Sequence, residues 1–245
     1  MKAMIFAAGL GTRLRPLTES VPKALVEVNG TPLLGLIILR LKRFGFKDLI
    51  INVHHFPDMI MDYLAGHDNF GVNITISDER EVLLETGGGL QKAAWFFDDG
   101  KPFLVHNVDI LSDLNLLEIY EDHIKSGALA TLAVSGRKTS RVLLFDEQEI
   151  LCGWRNLKTG EEKWARPSSK TFRERSFSGI HVISPEFFSE ISQTGRFSII
   201  DTYLELGGRF PIKAHYHDES HWMDVGKPET LQQAVGLLAK IEAVG

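Results

Sequence analysis

Residues 2–25 read KAMIFAAGLGTRLRPLTESVPKAL, and the rest of the chain is parsed outward from them. Lys2–Ala7 is a short apolar run of the kind that forms a buried strand. It leads straight into Ala8-Gly9-Leu10-Gly11-Thr12-Arg13-Leu14-Arg15-Pro16-Leu17-Thr18, with Pro22-Lys23 shortly after. Small residues there let backbone N–H groups approach an anion closely, Thr12 adds a hydroxyl donor, and Arg13, Arg15 and Lys23 concentrate positive charge. The stretch reads as a strand that ends in a phosphate-holding loop. The plainer alternative is a connection whose glycines only allow the turn and whose cations are solvated.

Beyond the loop, Thr31–Phe44 carries the apolar spacing of a helix, with Thr31 as N-cap, Pro32 at the first helical position and Gly45 as terminator. Asp48–Val53 and Val72–Ser77 read as strands, with helical spacing over Pro57–Leu64 between them. Thr86-Gly87-Gly88-Gly89 breaks the chain before a helix from about Leu90 to Phe97. Pro102–His106 is a further buried strand, delivering Asn107-Val108-Asp109 at its end. A helix over Leu114–Lys125, a strand over Ala128–Val134 and a hairpin from Arg141–Phe145 and Ile150–Trp154 follow. Residues 156–175 are polar with Gly and Pro and read as an irregular excursion over the sheet. Order returns with a strand at Ser176–Ile183, helices near Pro185 and over Ile199–Leu206, a strand at Pro211–His217 and a closing helix from about Pro228 to Ile241. Strands alternating with helices predict an α/β fold with a mostly parallel central sheet, helices on both faces, in a single domain.

Composition narrows the partners. A chain of 245 residues, 44% hydrophobic and 24% charged, is an ordinary globular chain with a sizeable core. A net charge of −5 argues against nucleic acid as partner, so the N-terminal cations serve a small anion. Cys152 is the single cysteine, which excludes an intrachain disulfide or a multi-cysteine zinc site. Apolar runs stay short of the roughly 18 residues a membrane span needs, and Met1 leads directly into a strand, so the expected location is cytoplasmic. Oligomeric state is not written in the sequence.

The loop matches neither of two familiar phosphate motifs. A dinucleotide fingerprint needs a third Gly or Ala at position 14, where Leu14 stands, and no GxxxxGK[ST] string is present. What stands instead is G-x-G-T-R-L-x-P-L-T followed by Pro-Lys. A triphosphate attacked at its α-phosphorus releases pyrophosphate, and a cationic loop suits the charge on that leaving group. Asp109, at the end of a strand, is placed to hold Mg²⁺, although it or Asp113 could equally cap the next helix. Asp224, in the apolar string Trp222-Met223-Asp224-Val225-Gly226, needs a compensating partner, which a shared cation or a lysine would supply.

Residues 5–25, IFAAGLGTRLRPLTESVPKAL, resemble the signature of the sugar-1-phosphate nucleotidyltransferases. That family has a Rossmann-like nucleotide-diphospho-sugar transferase fold and joins a nucleoside triphosphate to a sugar 1-phosphate, releasing pyrophosphate. The resemblance implies that Gly9, Gly11, Thr12 and Arg13 cradle the triphosphate and that Lys23 lies near the α-phosphate, with Arg13 and Lys23 as the catalytic cations. Asn107-x-Asp109 resembles the family's strand-end motif, which makes Asp109 a metal ligand and sets Asn107 against the sugar. Trp222-x-Asp224-x-Gly226 resembles the segment whose aspartate completes the Mg²⁺ site. Glu85-Thr86-Gly87-Gly88-Gly89 resembles the loop that meets the nucleobase, with Gly88 the expected contact. Phe177-Ser178-Gly179-Ile180 corresponds to the sugar-facing strand, where Gly179 is either a sugar contact or a bulge. Glu174 and Lys170 are candidate sugar contacts, but the family's Glu-Lys-Pro segment is absent, so their roles are not carried over.

The resemblance spans nearly the whole chain and implies one nucleotidyltransferase domain over residues 1–245, without the C-terminal β-helix extension of some relatives. It runs to the compact N-acetylmuramate-1-phosphate uridylyltransferases and the mannose- or heptose-1-phosphate guanylyltransferases, which favours UTP over GTP. Two other readings stay open: a cytidylyltransferase acting on a phosphoalcohol such as phosphocholine, and a non-catalytic nucleotide-sensing subunit. His54 and His55 lack a third ligand, and His215, His217 and His221 are expected in a surface turn. Cys152 is expected as a small strand residue, and the apolar positions of residues 33–41 as core.

Overall fold

The opening strand forms over Lys2–Phe6 and pairs in parallel with Asp48–Val53, from Lys2 opposite Asp48 to Phe6 opposite Asn52. Asp48–Val53 pairs in parallel with Asn73–Asp78 on its other side. The first two of these strands are apolar without alternation: Ala3, Met4 and Ile5, like Leu49, Ile50 and Ile51, are fully buried. Successive side chains point to opposite faces, so a sheet buried at every residue is covered on both. The α/β class with parallel strands at the centre of the sheet is the one expected. In this computed structural model residues 1–166 and 171–244 are described. The chain divides into two compact units, Met1–Glu85 with Val105–Leu116 and Ser220–Gly245, and Thr86–Leu104 with Leu117–Glu219.

In the first unit the end of the Phe103–Asn107 strand lies beside Lys2–Phe6, and Val108 donates its N–H to the Phe6 carbonyl at 3.1 Å. The Leu33–Arg43 helix buries Leu33, Leu34, Ile37, Ile38 and Leu41 and leaves Lys42 and Arg43 outward, while Arg40 turns inward to donate to the Leu114 carbonyl. It stops where expected. Gly45 takes φ +81°, its N–H reaches the Lys42 carbonyl and the Phe46 N–H reaches that of Leu41, both at 3.0 Å, which satisfies the last carbonyls of the helix. Its start differs from expectation. Thr31 does not cap it, because Thr31–Pro32 pairs as a short strand with Glu27–Val28 and Pro32 occupies the cap position without a side-chain bond.

The second unit is built mainly from antiparallel pairs. The expected hairpin forms between Arg141–Phe145 and Leu151–Asn156. Arg173–Ile183 pairs with Arg141–Phe145 along one part and with Ala130–Ser135 along another, and Ile212–Tyr216 adds to Ala130–Ser135 in parallel. Part of the polar stretch 156–175 proves regular: Glu162–Trp164 extends the hairpin, and the long strand begins at Arg173. Lys170 lies outside the described residues. The glycine run does not break the chain before a helix; it is the beginning of one, Glu85–Lys92. Among the described residues no helix is long and apolar enough to cross a membrane.

His215 and His217 are also placed differently from expectation. They are 8% and 4% exposed, at the end of the Ile212–Tyr216 strand and just beyond it. His215 Nδ1 meets Asp122 at 2.9 Å and His217 Nε2 meets the Ser178 hydroxyl at 2.7 Å. Polar flanking residues suggested a surface turn, whereas sheet pairing carries the two side chains inward and hydrogen bonds make their burial tolerable.

Candidate active site

After Phe6 the chain leaves the sheet, with Ala7 and Ala8 still buried and Gly9 and Leu10 at the surface. The loop then coils through three short 3₁₀ turns, Thr12–Leu14, Leu17–Glu19 and Lys23–Leu25. Gly11 is where it closes on itself. Its φ of +64° suits glycine, and its carbonyl accepts from the Leu14 N–H and the Thr18 hydroxyl, both at 2.8 Å. A Cβ at Gly11 would stand 2.8 Å from Thr18 Cγ2 and 3.0 Å from Lys23 Cβ. Around Gly9 there is open space, with nothing within 4 Å of an added Cβ. Thr12, Arg13 and Arg15 are exposed, and Arg15 has no ion-pair partner among the described residues.

Two acid–base pairs stand against this loop. Lys23 Nζ contacts Asp109 Oδ2, with both side chains largely buried, at 11% and 14% exposure. Arg13 Nη2 lies 3.4 Å from Asp224 Oδ2, and this pair is open to solvent. Sheet pairing brings the two aspartates together from residues far apart in sequence. Ile110–Ser112 and Trp222–Asp224 form an antiparallel pair with Asp224 opposite Ile110, and the Val225 N–H donates to the Asp109 carbonyl at 2.8 Å. Asp113 fastens the other end. Its carboxylate accepts the His221 N–H and meets His221 Nδ1, each at 2.7 Å, so it does not cap the following helix. Gly226 explains itself here: a Cβ would fall 2.5 Å from Arg13 Nη2 and 2.6 Å from Asp224 Oδ1, so the Arg13–Asp224 pair lies directly on it.

The donor set suits a hard cation. Asp224 Oδ1 is buried with no hydrogen-bond partner, which leaves an oxygen ligand with unused capacity beside Asp109. Among the described residues no cluster of three or more His, Cys, Asp or Glu could hold a metal, so phosphate oxygens and water would complete the shell. His54 and His55 are structural, with His54 Nδ1 on the Glu79 carbonyl at 2.7 Å and His55 Nε2 3.4 Å from that of Thr18.

Asn107 ends its strand half-buried, next to fully buried His106. Burial, reinforced by the positive charge of Arg40, lowers the His106 pKa to about 4, against the pull of the Asn107 carbonyl and Asp109, so the ring is neutral at ordinary pH. In the second unit, Gly87 and Gly88 donate their N–H groups to the Phe197 carbonyl at 2.9 and 3.3 Å. The Phe197 ring covers Gly87 so closely that an added Cβ would meet it at 2.3 Å. Gly179 has φ +75° and sits where pairing with Ala130–Ser135 slips between Phe177 and His181, so it is a bulge. Glu174 is engaged by Arg155 at 2.5 Å. Cys152 is buried in its strand, as expected.

The sequence model of the nucleotidyl transferase family matches residues 2–240. The chain belongs to that family. The membership expected from residues 5–25 is the one found. The chain is 32% identical to N-acetylmuramate alpha-1-phosphate uridylyltransferase of Neisseria meningitidis, over 97% of this chain and 98% of that protein. It is also 32% identical to the mannose-1-phosphate guanyltransferase of Yarrowia lipolytica, over 94% of this chain but 61% of that protein. Among solved structures, HddC from Yersinia pseudotuberculosis complexed with GMP-PN superposes with a TM-score of 0.76 at 20% identity, over 97% of this chain and 99% of that one, a likeness of fold.

Proposed function

We propose that this chain transfers a nucleotidyl group from a nucleoside triphosphate to a sugar 1-phosphate, forming a nucleotide sugar and releasing pyrophosphate. The observation that carries the reading is the placement of Lys23–Asp109 and Arg13–Asp224 against one glycine loop. Gly9, Gly11 and Thr12 would offer backbone and hydroxyl donors to the triphosphate, with the open space at Gly9 admitting it. Arg13, exposed on the loop, would neutralise charge on the departing pyrophosphate, and Lys23 would do so at the α-phosphoryl oxygens. Asp109 and Asp224 would hold Mg²⁺, which when bound supplies a fixed charge on the phosphate oxygens. The acceptor phosphate is already ionised at neutral pH, so direct in-line attack on the α-phosphorus needs no general base and no covalent enzyme intermediate. Catalysis then rests on orientation and charge.

In the second unit, Gly88 would face the nucleobase and Gly179, at its bulge, is the candidate sugar residue. In the first unit that candidate is Asn107, at the end of its strand. UTP is preferred over GTP because the matched uridylyltransferase of Neisseria meningitidis is covered nearly end to end, at 98%, and the guanyltransferase of Yarrowia lipolytica at 61%.

The test is pyrophosphate release across a matrix of UTP, GTP, CTP and dTTP against sugar 1-phosphates and phosphocholine, with Mg²⁺ or with chelator. Release with UTP and a sugar 1-phosphate, lost on chelation, is expected. Release with CTP and phosphocholine alone would replace the acceptor class. Silence with every pair, alongside nucleotide binding, would replace catalysis by sensing.

A further inference from the structure

Asn52 is a polar residue in an otherwise apolar strand interior, and it is 2% exposed. For packing alone an apolar residue would serve, since a buried amide costs stability unless its donors and acceptor are used. Both ends of this one are used. Asn52 Oδ1 accepts the Ala7 N–H at 2.8 Å, and Asn52 Nδ2 donates to Glu79 Oε1 at 2.8 Å. Glu79, 1% exposed, accepts the Leu84 N–H on its other oxygen at 3.2 Å. Its own backbone is pinned as well, with its N–H on the Val53 carbonyl and its carbonyl facing His54 Nδ1, both at 2.7 Å.

The placement of this relay gives it meaning. Register between the first two strands ends at Phe6 opposite Asn52. The Asn52 side chain supplies the next rung in place of backbone, so the chain at Ala7 stays fastened while Ala8 and Gly9 turn out of the sheet. At the far end the relay holds Leu84, the residue before Glu85, which takes φ +60° as the glycine run begins. Three hydrogen bonds thus run from the start of the phosphate loop to the residue that precedes the glycine run.

We infer that Asn52 and Glu79 are positioning residues for nucleotide binding, setting the backbone of the phosphate loop through Ala7 and that of the 79–84 segment through Leu84. The inference rests on the nucleotidyl-transfer reading above. Neither side chain needs to touch substrate, and their burial keeps them from it.

The experiment is a reciprocal swap read by steady-state kinetics with the nucleotide and acceptor that the unaltered chain uses. Asn52→Asp sets two carboxylates face to face, and Glu79→Gln leaves one of the three bonds unmade. Each is expected to raise the KM for nucleotide roughly tenfold, the equivalent of one buried hydrogen bond to a charged group. The KM for the acceptor should stay within about twofold, a split that a mere loss of folded protein would not produce. The double variant Asn52→Asp/Glu79→Gln reverses donor and acceptor and can remake all three bonds, so nucleotide KM should return to within about twofold of the unaltered value. Single variants with unchanged nucleotide KM, or a double variant that stays impaired or does not fold, would overturn the inference. Failure of the unaltered chain to release pyrophosphate with any pair would instead overturn the functional reading, and the inference with it.

Discussion

The two glycine segments use the same residue for opposite ends. In the glycine loop of the first unit, Gly9 faces open space, and Gly11 closes the loop through a positive φ with bonds from Leu14 and Thr18. In the second unit, Gly87 faces no space at all, because the Phe197 ring fills it while the Phe197 carbonyl takes the N–H groups of Gly87 and Gly88. One glycine borders open space and the other makes room for the protein. Substitution should separate them, since a side chain added where a ligand goes changes binding, and one added where the protein goes changes stability.

The largest effect expected on the loop side comes from its charges rather than its glycines. Asp109→Asn keeps the shape of the side chain but removes the charge opposite Lys23. It should lower kcat/KM roughly a thousandfold, in the range seen for loss of a group that stabilises transition-state charge. Melting temperature should shift by only a few degrees, measured by calorimetry. Activity within tenfold of the unaltered chain would remove Asp109 from the site.

Acid tests the interior of both units. His106 in the first, and His123 and His217 in the second, all have pKa values lowered to about 4, chiefly by burial. The unfolded chain takes up these protons near pH 6.5, whereas the folded chain resists until about pH 4. Stability is therefore fully present above about pH 6.5 and is lost as pH falls towards 4, by at most about 3 kcal/mol for each ring. Denaturant unfolding followed from pH 7.5 down through this window should show that slope. A His123→Gln variant should lessen that slope by about a third, because its ring, held between Thr131 and Ser184, no longer titrates while His106 and His217 still do.

The glycines give the smallest and most direct comparison. Gly87→Ala drives a methyl into the Phe197 ring and should cost about 2 kcal/mol of stability. Gly9→Ala meets nothing within 4 Å and should leave the melting temperature unchanged. If the phosphate approaches that backbone, the same change should raise nucleotide KM several-fold. Equal losses of stability in both variants would erase the distinction between the segments.

Legibility in the sequence followed the same divide. The opening strand, its loop and the end of the Leu33–Arg43 helix could be read because local signals and tertiary placement agree there: an apolar run, a glycine cluster, a terminator at Gly45. The start of that helix misled because Thr31, a good cap by composition, is taken by pairing with the Glu27–Val28 strand. His215 and His217 misled because their neighbours in sequence are polar, while their neighbours in space, Asp122 and Ser178, come from elsewhere in the chain. Asn52 left a faint trace as a polar residue in an apolar strand, but nothing in the sequence named Ala7 and Glu79 as its partners.

By itself, then, the sequence determined the kind of chemistry. A strand followed by G-x-G-T-R and a later Pro-Lys predicts a loop suited to phosphate, since backbone freedom and positive charge are properties of adjacent residues. Only the tertiary structure decided which carboxylates meet those cations. Asp109 and Asp224 are brought side by side by an antiparallel pair of short strands, and register between distant segments is set by packing and hydrogen bonding that no local pattern carries.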